Sequence, residues 1–177
     1  MKKHTLTALK KHLSHKTKDE LIHDIETLYQ TFPQVKDYYQ AQRAEMDDLV
    51  RKYKDIIQRE FIEGKTRGLP RARFSVARKA INDLKKLTDR PEVIADVMLT
   101  YVESISWFNA EYSPDAEECY ERPVAMFATV LGLLKTYALL EEFAPRVHQI
   151  VQNADDGWGY RDGLEGEYAS VYGEFVE

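Results

Sequence analysis

The sequence predicts an all-α protein: a single-domain irregular bundle, or a short helical array, of about seven to nine helices with no sheet. Three observations carry that prediction. Apolar residues recur at the i, i+3, i+4, i+7 spacing of one helix face through nearly every segment. Residues that start and stop helices punctuate those segments. No run of alternating β-branched residues bounded by turns occurs anywhere in the chain.

The elements follow in order. Residues 1–16 form a basic N-terminal segment. Thr17 and Glu20 make a capping box, and Leu21, Ile22, Ile25, Leu28, Tyr29 and Phe32 line one face of the helix it opens. Pro33 begins a shorter helix through Val35 and Tyr39. Met46, Leu49, Val50, Tyr53, Ile56, Ile57 and Phe61 mark the next, broken by Gly64 and by Gly68–Leu69–Pro70. Val76, Ala77, Ala80, Ile81 and Leu84 predict a helix over "RFSVARKAINDLKKL". Asp89 with Pro91 reads as an N-cap followed by a first-turn proline, opening a helix that carries Val93 to Phe108. Ser113 with Pro114 reads as the same start repeated, and Pro123 as the beginning of a core helix. Glu141–Asn153 is the last long helix, with Pro145 in its first turn or as a kink.

Residues 154–177 are expected to act as a clasp. Four of the eight glycines fall between Asp155 and Tyr168. Gly157 is placed to close the preceding helix in the left-handed conformation, or to serve the turn after it. Gly159 and Gly163 would bend the chain so that Trp158 and Tyr160 turn inward. Leu164, Tyr168, Val171, Tyr172 and Phe175 would then dock a short final helix. Helix pairs recur along the chain without a register of identical residues, so a solenoid stays open.

Composition bounds the function. The chain has 177 residues, 44% of them hydrophobic and 31% charged, with a net charge of -5. That suits one soluble domain and argues against general nucleic-acid binding. Cys119 is the single cysteine, so no intramolecular disulfide forms, as suits a reducing cytoplasm. The most apolar run, Val124 to Leu134, is too short to span about 30 Å of hydrocarbon, and no signal-peptide pattern follows the basic N-terminus. A cytoplasmic protein without membrane attachment is expected.

"KDELI", "LYQTFPQVKDYY", "KYKDII", "ARKAINDLKKL", "ADVMLTYVE" and "GWGYRDGL" together resemble a bacterial family described as a domain of unknown function, number 6155. The resemblance covers nearly the whole chain. It implies an all-helical cytoplasmic bacterial protein and transfers no catalytic residue.

Charge layout supplies the candidate sites. Lys65 to Lys86 holds Lys65, Arg67, Arg71, Arg73, Arg78, Lys79, Lys85 and Lys86 against Asp83 alone. The first eighteen residues add six lysines and no acid. Together these could bind phosphates with strong salt dependence. The plainer alternative is a solvated helix face neutralised by the protein's own acids. Those acids cluster as Glu103, Glu111, Asp115, Glu117, Glu118 and Glu121, and again as seven in the tail against one base, Arg161.

Trp158, Tyr160, Arg161 and Asp162 combine a stacking surface, a planar cation and a carboxylate, and are the second candidate site beside their clasp role. His12, His15 and His23, with a single Glu20-x-x-His23, fall short of a di-iron or zinc set, and His148 stands alone. Cys119 lies among carboxylates that suppress its thiolate. No phosphate loop, dinucleotide fingerprint, nucleophile elbow or paired-cysteine motif occurs, and no cofactor or metal is expected.

The leading expectation is a non-enzymatic interaction module with a protein partner. It would use Arg71, Arg73, Arg78, Lys79 and Lys85, with the Trp158–Asp162 loop beside them. The alternative is nucleic-acid or phosphate binding by the same basic element, and an enzyme comes third. The sequence sets no oligomeric state.

Overall fold

A computed structural model describes residues 5–43, 46–66 and 68–176. Lys2, Lys3 and Arg67, three of the cations counted above, lie outside the described residues. The chain forms two compact units, Met1–Glu45 and Met46–Glu177. Among the described residues it is all-α with nine α-helices, as the periodicity predicts.

The first unit holds α1 (Leu6–Leu13), α2 (Lys18–Thr31) and α3 (Pro33–Arg43). Thr5 caps α1 by accepting from the Ala8 amide at 3.3 Å. Lys10, Lys11 and His12 stand in its last turn, where the helix dipole favours cations. The capping box of α2 forms as read: Thr17 Oγ1 accepts from the Glu20 amide at 3.3 Å, and Glu20 Oε2 accepts from the Thr17 amide at 2.7 Å. The backbone hydrogen bond from Thr17, with its hydroxyl, holds the Glu20 carboxyl below the usual value. Tyr39 of α3 meets Tyr29 of α2 edge-on at 6.3 Å. No residue of α1 or α2 is buried.

In the second unit, α4 (Met46–Gln58) widens into a π-turn, Arg59–Glu63. Lys65–Thr66 and Leu69–Pro70 make a minimal antiparallel ladder, and no larger sheet exists among the described residues. Then come α5 (Phe74–Leu84), α6 (Pro91–Tyr112), α7 (Glu118–Thr136), α8 (Leu140–Gln152), a 3₁₀ turn (Gly157–Gly159) and α9 (Tyr160–Tyr172). Helix α6 is the axis. Its buried residues, Val97, Leu99, Tyr101, Val102 and Ile105 among them, cover well over half of its circumference, more than the stripe of a surface helix. It packs against α4, α5, α7 and α8. Phe61, fully buried in the π-turn, meets Phe74, Tyr101 and Phe108 at 5.1, 6.2 and 6.0 Å.

Several boundaries differ from the sequence reading. Asp89 is not the cap of α6; Arg90 occupies that position, and Thr88 Oγ1 accepts from the Arg90 amide at 3.2 Å. Pro91 does stand in the first turn. Ser113 closes α6 in the left-handed conformation (φ 42°) instead of starting α7. Pro123 lies inside α7, which begins at Glu118. A proline there cannot donate to the Cys119 carbonyl one turn back, and the buried Asn109 side chain donates to that carbonyl instead, at 2.8 Å. Pro145 likewise lies past the first turn of α8, leaving the carbonyl of the exposed Glu141 without its helical donor.

The tail is also rearranged. Gly157 has no left-handed geometry; Trp158 (φ 55°) and Gly159 (φ 68°) do. Gly163 does not bend the chain. It sits within α9 where a Cβ would approach Val124 Cγ2 to 3.1 Å, so its small size lets α9 press onto α7. Phe175 lies beyond the end of α9. It packs on the His148 ring at 4.7 Å, while Tyr172 donates to the Leu140 carbonyl at 2.7 Å. The final segment therefore closes onto α8.

Candidate functional site

Part of the basic element is paired with acids of its own chain. Arg73, ahead of α5, clamps Glu60 of the π-turn with both arms, at 2.8 and 2.7 Å. Glu60 is 5% exposed, and the hydrogen bonds from Arg73 hold its carboxyl below the usual range. Lys79 and Lys86 share Asp83 at 2.5 and 2.8 Å, and that pairing lowers the Asp83 carboxyl too. Arg71 is exposed and engaged with a neighbour. Arg78 and Lys85 are exposed, one two turns along α5 from the other and so on one face, and make no ion pair among the described residues.

The tail residues are dispersed as well. Trp158 points outward, 60% exposed, which corrects its reading as a core residue. Two consecutive left-handed residues turn it away, and it lies flat on Tyr120 with centroids 6.0 Å apart and planes 19° apart. Tyr160 turns inward as read and is 1% exposed. Ser106 Oγ donates to the Val102 carbonyl at 3.0 Å, so the Tyr160 hydroxyl, 2.6 Å away, donates to Ser106. Burial pushes the Tyr160 hydroxyl far above its ordinary value.

Arg161 closes α8. It donates to the Ala154 carbonyl at 2.8 Å and the Gln152 carbonyl at 3.2 Å, and lies 3.1 Å from Asp156. Asp162 is exposed in the first turn of α9. Asp155 Oδ1 accepts from the Gly157 amide at 2.7 Å, and its second oxygen is buried without a partner. Burial raises the Tyr120 hydroxyl, with Asp155 and Asp115 adding to the effect. The exposed indole therefore stands on a fixed tyrosine, with Asp155, Asp156 and Asp162 close in sequence and Asp155 and Asp115 within electrostatic reach of that tyrosine.

One cluster escaped the sequence reading. Arg146 of α8 donates to both oxygens of Glu103 at 2.6 and 2.7 Å, to Asp96 Oδ1 at 2.5 Å and to Thr100 Oγ1 at 3.1 Å. Lys54 of α4 reaches the same Asp96 oxygen at 2.6 Å. Burial acts against the Arg146 charge, but Glu103 and Asp96 outweigh it and raise the guanidinium above its ordinary value. Beside the network, Glu103, Ser106, Trp107, Arg146, Gln149 and Asn153 help line a cleft of about 370 Å³ between α6 and α8. Both Glu103 oxygens are taken by Arg146, so this carboxylate ties helices together instead of standing ready as a base. The one sequence signal was an arginine one turn from Ile150 on an amphipathic helix.

Burial, with Glu118 adding to it, raises the Cys119 thiol above its ordinary value, away from a nucleophilic thiolate. Glu20 is held in its capping box and His23 is exposed. Among the described residues no three of His, Cys, Asp and Glu come together as metal ligands, and no helix is long and apolar enough to cross a membrane.

One family model, described as a family of unknown function (DUF6155), matches residues 2–175. No curated protein and no solved structure matches the chain.

Proposed function

This chain belongs to the DUF6155 family, and we propose that it is a non-enzymatic interaction module that binds a protein partner presenting a basic segment. One observation carries the reading: Trp158 is 60% exposed and left-handed, yet held flat on Tyr120, a tyrosine within electrostatic reach of Asp155 and Asp115. A non-glycine residue in that backbone region costs on the order of 1–3 kcal/mol, which the surroundings must offset. A rigid exposed tryptophan loses little entropy on binding and belongs to the residue types that dominate interfaces. Its face attracts guanidinium and ammonium groups, and the exposed Asp156 and Asp162 near it in sequence favour the same ligands. A cytoplasmic, bacterial setting is part of this proposal; a single buried, free cysteine and the lack of a membrane-crossing helix among the described residues support the cytoplasmic part.

The test uses Trp107→Phe as background, so that indole fluorescence reports Trp158 alone. Titration with an arginine-rich peptide should give a saturable change that weakens with salt, is reduced by Asp156→Asn and is absent with an acidic peptide of equal length. A flat response would remove the reading. Trp158→Ala should abolish binding yet lower stability by less than about 1 kcal/mol, as surface substitutions do. An unfolding free energy several-fold more affected would place the indole in the core after all.

A second reading, nucleic-acid or phosphate binding, rests on Arg78 and Lys85 sharing an exposed face of α5. Two cations release few counterions, so any such binding should show a shallow salt slope of about −2. Arg78→Ala with Lys85→Ala should remove it without touching the Arg73 clamp.

A further inference from the structure

Within the first unit, an apolar stripe stays exposed beside a segregated pattern of charge. Leu21, Ile22, Ile25, Leu28, Tyr29 and Phe32 sweep an arc of about 120° on α2, the width of stripe that a helix buries in a core. Here Ile22, Ile25, Leu28 and Phe32 remain 44, 40, 44 and 49% exposed. The stripe runs the 14 residues of α2, about 21 Å. A groove of about 520 Å³ opens along it, between Ile22, Ile25 and Tyr29 of α2 and Tyr39 of α3. Leu6 and Leu9 of α1, 66 and 51% exposed, extend the apolar surface.

Charge is segregated along the same unit. Residues 1–18 hold six lysines and no acid, whereas residues 19–37 hold five acids and one lysine. Lys16 reaches Asp24 within the unit, but Lys10, Lys11, Asp19 and Glu26 all face solvent. A chain carrying both halves of a complementary pattern, beside an uncovered apolar stripe, fits a two-fold contact with itself. In such a contact each basic end meets the other's acidic helix, and the complementarity is satisfied twice.

We propose that α1–α3 pair with the same helices of a second copy of this chain, apolar face to apolar face, with the Lys10–Lys11 end of each copy against α2 of the other. This pairing is independent of Trp158. Sedimentation of the full chain should show a dimer that dissociates on dilution and weakens with added salt. Ile22→Glu with Ile25→Glu should leave a monomer of unchanged helicity, because both side chains are solvent-facing in the single copy. The charge arm is decisive. Lys10→Glu with Lys11→Glu should be monomeric, as should Asp19→Lys with Glu26→Lys, and the two variants mixed should recover a mixed dimer. A wild type that stays monomeric at every concentration overturns the proposal. So does a dimer that survives the Ile22/Ile25 change, or charge variants that fail to recover on mixing.

Discussion

Arg73→Ala should lower stability clearly at neutral pH, a large effect for a residue that the sequence offers as a surface cation. Truncation leaves Glu60 buried without its counter-ion, and breaking such a pair from one side typically costs about 3–5 kcal/mol. Half of the Arg73 side chain is exposed, so solvent screening brings the figure down. The clamp is not the only tie there, since the Ala72 amide also donates to the Glu60 carbonyl at 2.8 Å. Losing Arg73 therefore loosens the turn that feeds α5 without freeing it.

The pH dependence gives the loss a signature. In the native protein Arg73 lowers the Glu60 carboxyl below its usual 4.5. The stabilisation is then present above that usual value and is lost as pH falls through the lowered one. In the variant the side-chain hydrogen bonds, the largest lowering cause, are gone while burial stays, so much of the acid-sensitive stabilisation is missing from the start. Urea unfolding should show the two proteins well separated at neutral pH, with the separation shrinking at a second, acid pH below 4.5. An equal separation at both values would mean that packing of the arginine stem, not its charge, is what matters. A variant set that includes Arg73 would also mislead a nucleic-acid assay, because lost binding would report lost structure.

How much was legible in the sequence depended on how local the cause was. The capping box at Thr17 and Glu20 needs residues three apart, and the apolar period of α2, α4, α5 and α6 is written within each helix, so these were read correctly. Trp158 was misplaced because its direction depends on the sign of φ at two adjacent residues, one of them the tryptophan itself. Gly163 was misread because a contact partner, Val124, decides its role, and that partner lies on another helix. The Arg146 network was out of reach for the same reason: Glu103 and Asp96 stand 43 and 50 residues away, and no spacing rule connects them. Arg73 was read as a candidate binding cation, and its partner proved to be Glu60, a buried acid outside the acidic clusters read from the sequence.

Pro123 is the sharpest case, and it yields the second large prediction. Sequence rules place proline at a helix start because inside a helix it removes one donor and strands one acceptor. Here the stranded acceptor is the Cys119 carbonyl, and Asn109, fully buried near the end of α6, supplies the missing donor. Asn109→Leu keeps the volume but leaves that carbonyl unpaired in the interior, at a cost of about 2 kcal/mol. Pro123→Ala restores a backbone amide one turn below Cys119, so the double variant should recover most of the loss. Unfolding free energies of the four proteins form a cycle whose interaction energy should be well above the few tenths expected of independent sites. Simple additivity would break the link between the two residues, and α7 would then tolerate its proline for a reason other than the amide of Asn109.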